Sequence, residues 1–350
     1  MIDVFGESWT LVLFGFLSGL ALGVAARAGK FCTLGALEDW HYGRSSTRLL
    51  MWGAALGFSI LTVFALADAG LIRIEQSLYL TTTSGLLAAI LGGLTFGVGM
   101  ALSGNCGYGA LARLGGGEMR SFLIVIVMGL AAMATISGPL APLRVALFPL
   151  QPIDPASAGI AHGMAARTGV DIELLGMTIG GLVLAASAYL APDKRVLWGL
   201  VVGAAIAAGY AGTSYVATHG FDPVEIRSHS FASPVGESMI YLMLSSGLTP
   251  GFGIGSVAGV VTGAILGSFG MRSFRWEACD DQRELRRQLT GAAMMGVGAV
   301  VAMGCSIGQG LSAFAVLGVT APVALASMWV GAFLGLRYLI EGRILPTAAE

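Results

Sequence analysis

Residues 104–117 read GNCGYGALARLGGG, and they place a thiol between glycines directly after a long apolar run. Glycine in a helix interior costs about 1 kcal/mol relative to alanine, so core packing alone gives little reason for this density of glycine. We therefore expect the stretch to interrupt a helix and to expose backbone N–H groups around Cys106.

The same pattern returns later in the chain. Residues 97–111 read GVGMALSGNCGYGAL and residues 296–311 read GVGAVVAMGCSIGQGL, and in both the first glycine stands nine residues before the cysteine of a Cys-x-x-Gly motif. A weaker copy, GVAARAGKFCTLG at residues 23–35, keeps the same glycine spacing. A lone membrane cysteine is usually a small buried hydrophobe, but repetition at one register favours function. The candidate thiols are Cys32, Cys106 and Cys305.

The composition is that of a protein with many membrane spans. Of 350 residues, 55% are hydrophobic and only 11% are charged, with a mean hydropathy of +0.80 and a net charge of -1. This balance offers no basic surface for nucleic acid.

A spanning helix needs about 20 mostly apolar residues. Segment 236–247 is shorter, so it is predicted to be a re-entrant half-helix. Nine spans are predicted, beginning near Thr10, Leu49, Thr81, Ser121, Ile172, Val196, Gly251, Leu289 and Ala321.

The distribution of cations predicts the orientation of the chain. With nine spans, only four of the 19 Lys and Arg residues fall on the side of the N-terminus, namely Arg73, Arg144, Arg167 and Arg227. By the positive-inside rule, the N-terminus is periplasmic and the C-terminus is cytoplasmic.

This topology also predicts an inverted repeat. The helix before Cys106 runs inward and the helix before Cys305 runs outward, so the same motif is presented from opposite sides, as in repeats that hold a substrate site near mid-membrane. The expected fold is an all-α polytopic membrane protein with re-entrant half-helices. It forms a single membrane transport domain over residues 1–350, with halves 1–150 and 171–350 and a linker at 151–170.

A glycine-flanked thiol at the start of a half-helix suits a small sulfur-containing anion. Free N–H groups and the positive helix end attract the anion, and the S–H group is a weak, soft donor that releases it again. We expect transport without a catalytic residue, metal or cofactor. The candidate binding residues are Cys32, Cys106, Cys305, Gly104, Asn105, Gly107, Gly304, Ser306 and Gln309, with Arg27, Lys30 and Arg113 attracting the anion near the cytoplasmic end.

Two alternatives remain open from these residues. Thiolates and thioethers select Cu(I), and the chain has 15 methionines, but it has no Cys-x-x-Cys motif, methionine array or Cys-His cluster. A membrane thiol oxidoreductase would need a reactive cysteine pair and a cofactor or quinone site, for which the sequence carries no motif.

Three other features are predicted to be incidental or structural. Cys279, in the charged segment FRWEACDDQRELRR, lacks the glycine register and is predicted to be an incidental thiol. The polar stretch 221–239 is predicted to be a solvated loop, with a vestibule ahead of the short helix as the alternative. Ser245 and Ser246 are predicted to stand where a fourth cysteine would complete the repeat symmetry.

The motifs GNCGYGALARLGGG and GCSIGQGLSA, the latter preceded by RWEACDDQRELRRQLTGAAMMGVGAVVAMG, resemble those of the YeeE/YedE family of bacterial inner-membrane sulfur transporters, and RAGKFCTLG supports the resemblance. It implies an hourglass-shaped membrane domain whose narrow centre carries Cys32, Cys106 and Cys305. It also implies thiosulfate as the substrate, passed from thiol to thiol by transient S–H hydrogen bonds, and a cytoplasmic TusA-type sulfur carrier as partner. Residues 139–170 match no motif of the family.

Overall fold

Long apolar helices and short helices between them build the protein. The computed structural model describes residues 2–191, 193–278 and 281–342, so Cys279 lies outside the described residues. Within this part of the chain the helices are α1 (Ile2–Ala28), α2 (Thr33–His41), α3 (Thr47–Asp68), α4 (Leu78–Thr81), α5 (Leu86–Ser103), α6 (Gly107–Leu114), α7 (Met119–Ile136), α8 (Ala141–Leu147), α9 (Pro155–Ala158), α10 (Ile160–Thr168), α11 (Ile172–Tyr189), α12 (Trp198–His219), α13 (Ala232–Leu244), α14 (Phe252–Gly270), α15 (Gln282–Val301) and α16 (Thr320–Glu341). Two 3-10 turns (Ile74–Gln76 and Lys194–Leu197) and a π-helical segment (Gly308–Ala313) complete the helical elements described.

Eight helical segments of the described chain are long and apolar enough to cross a membrane. The remaining predicted span corresponds to α15, whose first two turns carry four charges and extend the helix ahead of the apolar part. The prediction of an all-α polytopic membrane protein is confirmed. The third span, α5, begins at Leu86 rather than near Thr81, because Thr82–Thr83 (β1) pairs antiparallel with Gln151–Pro152 (β2).

A short helix lies where the re-entrant half-helix was predicted. Helix α13 has 13 residues, about 20 Å at 1.5 Å per residue, which is shorter than the hydrocarbon core of roughly 30 Å. Its first turn is buried, and His229 and Phe231 just before it are 0% exposed. The solvated-loop prediction for 221–239 is therefore wrong for this part of the stretch, since these residues pack inside the helix bundle.

The position of Cys32 has a counterpart at the start of α13. Cys32 immediately precedes α2 at Thr33, and Phe231 immediately precedes α13 at Ala232, a separation of 231 − 32 = 199 residues. Cys106 and Cys305 are separated by the same 305 − 106 = 199 residues. The prediction for Ser245 and Ser246 is wrong, because both are exposed beyond the end of α13. A phenylalanine stands at the fourth position.

The glycines of the two Gly-Val-Gly motifs pack against neighbouring helix backbones. A Cβ at any of these four glycines would come within 3 Å of the neighbouring backbone, so only glycine allows the observed approach. The two motif copies make equivalent contacts with α5, α7, α15 and α16. The pairs are Gly97 with Met328 and Ala332, Gly296 with Met128 and Ala132, Gly99 with Gly291 and Met295, and Gly298 with Gly92 and Phe96.

The segment 139–170, which matched no motif, packs beside the end of the Cys305 segment. The Ile160 N–H donates to the Leu317 carbonyl at 2.8 Å, and the Val319 N–H donates to the Ala158 carbonyl at 2.8 Å. These bonds fix α9 and α10 against the chain that leads into α16.

Candidate functional site

Each of the three candidate thiols follows a break in a long helix. Helix α1 ends before Cys32, α5 before Cys106 and α15 before Cys305. The residue two positions before each thiol has a left-handed backbone, with φ of 55° at Lys30, 74° at Gly104 and 59° at Met303. Glycine adopts this conformation without steric cost, whereas Lys30 and Met303 do not. A glycine therefore occupies this left-handed position in one of the three breaks, the one before Cys106.

Every one of these sulfur atoms accepts a backbone N–H. Cys32 Sγ accepts from Gly35 at 3.5 Å and Cys106 Sγ accepts from Gly109 at 3.4 Å, so both thiols cap the short helices that they begin. Cys305 Sγ accepts from Phe231 at 3.3 Å, across the chain. Because each sulfur is already an acceptor from the backbone, its S–H proton is left to donate to another partner.

Two of the thiols meet beside Gly109. A Cβ on Gly109 would lie 3.9 Å from Cys32 Sγ and 3.7 Å from Cys106 Sγ, so both sulfur atoms lie beside the same small space at Gly109. Cys32 is partly exposed, whereas Cys106 is fully buried. The recurring motifs predicted that the thiols share a site, and the structure brings these two sulfur atoms to the same glycine.

A hydroxyl pair joins these thiols to the Cys305 segment. Thr33 Oγ1 donates to Ser306 Oγ at 3.2 Å and lies 3.9 Å from Cys106 Sγ. Ser306 was a predicted site residue, whereas sequence reasoning missed Thr33. Its position in the sequence could have indicated it, because Thr33 directly follows Cys32 in the same way that Ser306 directly follows Cys305.

The Cys305 thiol has hydroxyl neighbours that the motifs did not reveal. Ser230 Oγ lies 3.8 Å from Cys305 Sγ. A Cβ on Gly308 would lie 2.8 Å from Ser230 Oγ and 3.5 Å from the Tyr79 hydroxyl, so both hydroxyls reach the same place. Burial raises the pKa of the Tyr79 phenol, which keeps it a neutral donor.

Two cavities approach the thiols from opposite ends of the helices. The Arg113 cavity, about 450 Å³, is lined by Cys32 and by charged residues near the end of α1. The Arg227 cavity, about 430 Å³, is lined by Ser230 and Gly304, which flank Cys305, and by the start of α14 at Phe252. Helices α1 and α14 run in parallel, because Gly15 meets Phe252 and Gly23 meets Val260. The start of α14 and the end of α1 are therefore opposite ends.

The two cavities differ in charge. The Arg227 cavity carries two cations and two carboxylates, Arg144, Arg227, Glu225 and Glu237. The Arg113 cavity carries four cations and one carboxylate, Arg27, Lys30, Arg48, Arg113 and Glu38. The structure thus brings the three predicted cations together, and it adds Arg48, which sequence reasoning missed. The Arg48 guanidinium forms an ion pair at 3.2 Å with Asp39, which lies in α2, the short helix that follows Cys32.

The other predicted site residues support the broken helices. Gln309 Nε2 donates to the Ala302 carbonyl at 2.7 Å, which satisfies one orphan carbonyl at the end of α15. Gly104 lines the Arg113 cavity and Gly304 lines the Arg227 cavity. A Cβ on Gly107 would meet the Met128 sulfur at 2.7 Å, near the end of a flexible side chain. Asn105 is buried, and its Oδ1 accepts no hydrogen bond.

The chain was compared with known proteins. A family profile described as "Sulphur transport" matches residues 28–334. The chain is 26% identical over 362 aligned residues to the thiosulfate transporter TsuA of Escherichia coli (strain K12), covering 95% of this chain and 93% of that protein. It is 29% identical over 130 residues to the thiosulfate transporter TsuA of Spirochaeta thermophila, covering 37% of each.

These matches confirm the family that the thiol motifs indicated, and they identify a transporter rather than an enzyme. The matched region includes Cys32, Cys106 and Cys305 and the helix break before each of them. The chain therefore belongs to the sulphur transport family, as a multi-pass membrane protein.

Proposed function

We propose that this protein carries thiosulfate, or a closely similar sulfur oxyanion, across the bacterial inner membrane along Cys305, Cys106 and Cys32. The observation that carries the proposal is the placement of three thiols between two cavities, each with its sulfur accepting a backbone N–H. The similarity to TsuA proteins named as thiosulfate transporters supports the choice of substrate.

A relay of thiols suits the chemistry of thiosulfate. The terminal sulfur of the anion is a soft acceptor, and the S–H group is a weak donor, so each contact is easily made and easily broken. Conduction requires binding that is favourable enough to enter and weak enough to leave. Each thiol would donate its S–H to the terminal sulfur and pass the anion to the next without any covalent bond.

The charge of the cavities supports the assignment of the Arg113 cavity to the cytoplasmic side. Moving one elementary charge against a membrane potential costs about 2.3 kcal/mol per 100 mV, so at 100 mV a dianion entering a negative cytoplasm is opposed by about 4.6 kcal/mol. The excess of cations in the Arg113 cavity lowers the energy of the anion while it occupies that cavity, and the net cost of transfer stays the same. We propose that this cavity is cytoplasmic, with the N-terminus periplasmic and the C-terminus cytoplasmic, as the distribution of Lys and Arg indicates.

The equivalent glycine contacts support an inverted repeat, with halves in 1–150 and 171–350 joined by 151–170. The best supported parts of the halves are α1 to α7 and α12 to α16. The motif helices α5 and α15 contact each other, α5 also packs on α16 in the second half, and α15 also packs on α7 in the first half. Helix α11, which packs on α3, lies outside this correspondence.

A cytoplasmic carrier of the TusA type is proposed to receive the anion at the Arg113 cavity. Cys32 is the partly exposed thiol there and is flanked by cations that suit a sulfur anion in transit. Copurification of a TusA-type protein with the solubilised wild type, but not with Lys30→Glu, would support this partner. Equal copurification with both would contradict a contact at this cavity.

Uptake of labelled thiosulfate tests the relay. The assay uses cells that lack other sulfate and thiosulfate importers and that express wild type, Cys32→Ala, Cys106→Ala or Cys305→Ala, with Cys279→Ala as the matched cysteine control. We expect uptake to fall to background in the first three variants at equal amounts of membrane protein. Normal uptake by Cys106→Ala and Cys305→Ala would overturn the relay.

A further inference from the structure

Hydroxyl groups alternate with thiols along the path between the cavities. Ser230 neighbours Cys305, while Thr33 and Ser306 lie beside Cys106. We propose that Thr33 and Ser306 bind the oxygen end of the transported anion while Cys106 and Cys305 contact its terminal sulfur. This inference rests on the proposed transport of thiosulfate and adds the residues that recognise the other end of that anion.

The geometry places both kinds of donor within reach of one small ion. Thr33 Oγ1 lies 3.9 Å from Cys106 Sγ and 3.2 Å from Ser306 Oγ, and Ser306 is the chain neighbour of Cys305. Thr33 and Ser306 are each only 1% exposed, so no bulk water competes for their protons. A thiosulfate ion is hard at its three oxygens and soft at its terminal sulfur, which matches hydroxyl donors on one side and thiol donors on the other.

The repeat shows that the fold does not need this hydroxyl pair. At the spacing of 199 residues, Thr33 corresponds to Ala232 and Ser306 corresponds to Gly107. Helices α13 and α6 begin at these two residues without a side-chain hydroxyl. Because equivalent helix starts form with alanine and glycine, the hydroxyls of Thr33 and Ser306 are not required to start these helices.

The hydroxyl pair supplies the donors that an oxyanion needs. The Thr33 hydroxyl donates to Ser306 Oγ, so this donor has a partner in its buried position. An arriving anion exchanges this neutral hydrogen bond for charge-assisted ones, which are stronger. The hydroxyls therefore supply affinity for any oxyanion, and the thiols supply the preference for one with a terminal sulfur. Sulfate, which has only oxygens, would be held by the hydroxyls alone.

The test compares hydroxyl and thiol variants in one uptake assay with sulfate as the competing ion. Thr33→Val and Ser306→Ala remove the hydroxyls, Thr33→Ser keeps one, and Thr135→Val is a control that removes a buried hydroxyl bonded only within its own helix. We expect Thr33→Val and Ser306→Ala to raise the half-saturating thiosulfate concentration by about tenfold or more, with a smaller change in maximal rate. Thr33→Ser and Thr135→Val should behave as wild type.

Competition by sulfate separates the two ends of the anion. Inhibition of thiosulfate uptake by sulfate should weaken in Thr33→Val. In Cys106→Ala, which is expected not to transport, sulfate binding is measured instead by how well sulfate protects Cys32 against a thiol reagent. This protection should equal that of the wild type. Should Thr33→Val fail to accumulate, Thr33→Ala, which copies Ala232, and Ser306→Ala give the same readout. Wild-type half-saturation in these hydroxyl variants would overturn the inference and leave the relay standing. Normal uptake by Cys106→Ala would instead reject the relay itself.

Discussion

The N–H of Phe231 donates to the Cys305 sulfur at 3.3 Å, so the chain that starts α13 holds the thiol that follows α15. The Phe231 ring packs on Tyr108 with centroids 5.4 Å apart, and Tyr108 meets Phe31 edge-on at 6.4 Å. Phe31 lines the Arg113 cavity, and Ser230, next to Phe231, lines the Arg227 cavity. Three rings in contact thus connect the lining of the Arg113 cavity with the chain beside the Arg227 cavity, and we expect them to separate the two cavities.

Truncation of Phe231 should relax selectivity. In Phe231→Ala the ring between Cys305 and Tyr108 is lost, so a wider passage admits anions that make no thiol contact. We expect the preference for thiosulfate over sulfate, measured as the ratio of labelled uptake rates, to fall roughly tenfold. Phe14→Ala is the matched control, because Phe14 packs on Tyr215 and lines neither cavity. An unchanged ratio in Phe231→Ala would show that the rings do not separate the cavities.

Cys32 should react with thiol reagents from one side of the membrane. It is partly exposed in the Arg113 cavity, whereas Cys106 and Cys305 are 0% and 1% exposed. In a Cys279→Ser background, a membrane-impermeant reagent should label Cys32 in inside-out vesicles and not in right-side-out vesicles. Thiosulfate should slow the reaction. The site is read by peptide mass spectrometry, with Cys32→Ala as control. Labelling from the periplasmic side would reverse the proposed orientation.

The motif glycines should tolerate no side chain. Gly97→Ala and Gly296→Ala each place a Cβ within 3 Å of a neighbouring backbone, and overpacking of this kind costs about 1–3 kcal/mol. Thermal unfolding of the purified protein in detergent should show similar losses for the two variants. Gly181→Ala, in α11, is the control with no atom within 4 Å of the added Cβ. A large difference between the two motif variants would argue against equivalent packing.

Replacement of Met303 by glycine should stabilise the protein. A left-handed backbone costs a residue with a Cβ roughly 1–2 kcal/mol, and Met303 has a φ of 59°. Met303→Gly relieves this cost. Met303→Ala shortens the side chain but still has a Cβ, so the cost of the left-handed backbone remains. Gly104→Ala, at the equivalent position before Cys106, should lose a similar amount. The unfolding temperatures of the three variants and the wild type are compared to check this order. A Met303→Gly variant that is no more stable than Met303→Ala would contradict the proposed backbone strain at Met303.

The candidate site was only partly predictable. Cys32, Cys106 and Cys305 could be found because each recurs at a fixed distance from a glycine, which is a property of the local sequence. Ser230 and Phe231 could not be found this way. They lie 75 and 74 residues from Cys305 along the chain, and neither stands nine residues after a glycine.

The sequence by itself determined the membrane class, the number and approximate limits of the long helices, and the three places where helices break. These depend on apolar length and on glycine register within one segment. Tertiary structure decided which N–H meets each sulfur, which hydroxyls stand between the thiols, and that a phenylalanine occupies the fourth position. Those contacts join residues as far as 273 positions apart, as Thr33 and Ser306 are. They depend on how the helices pack, and α5 and α15 pack together where glycines let their backbones approach closely.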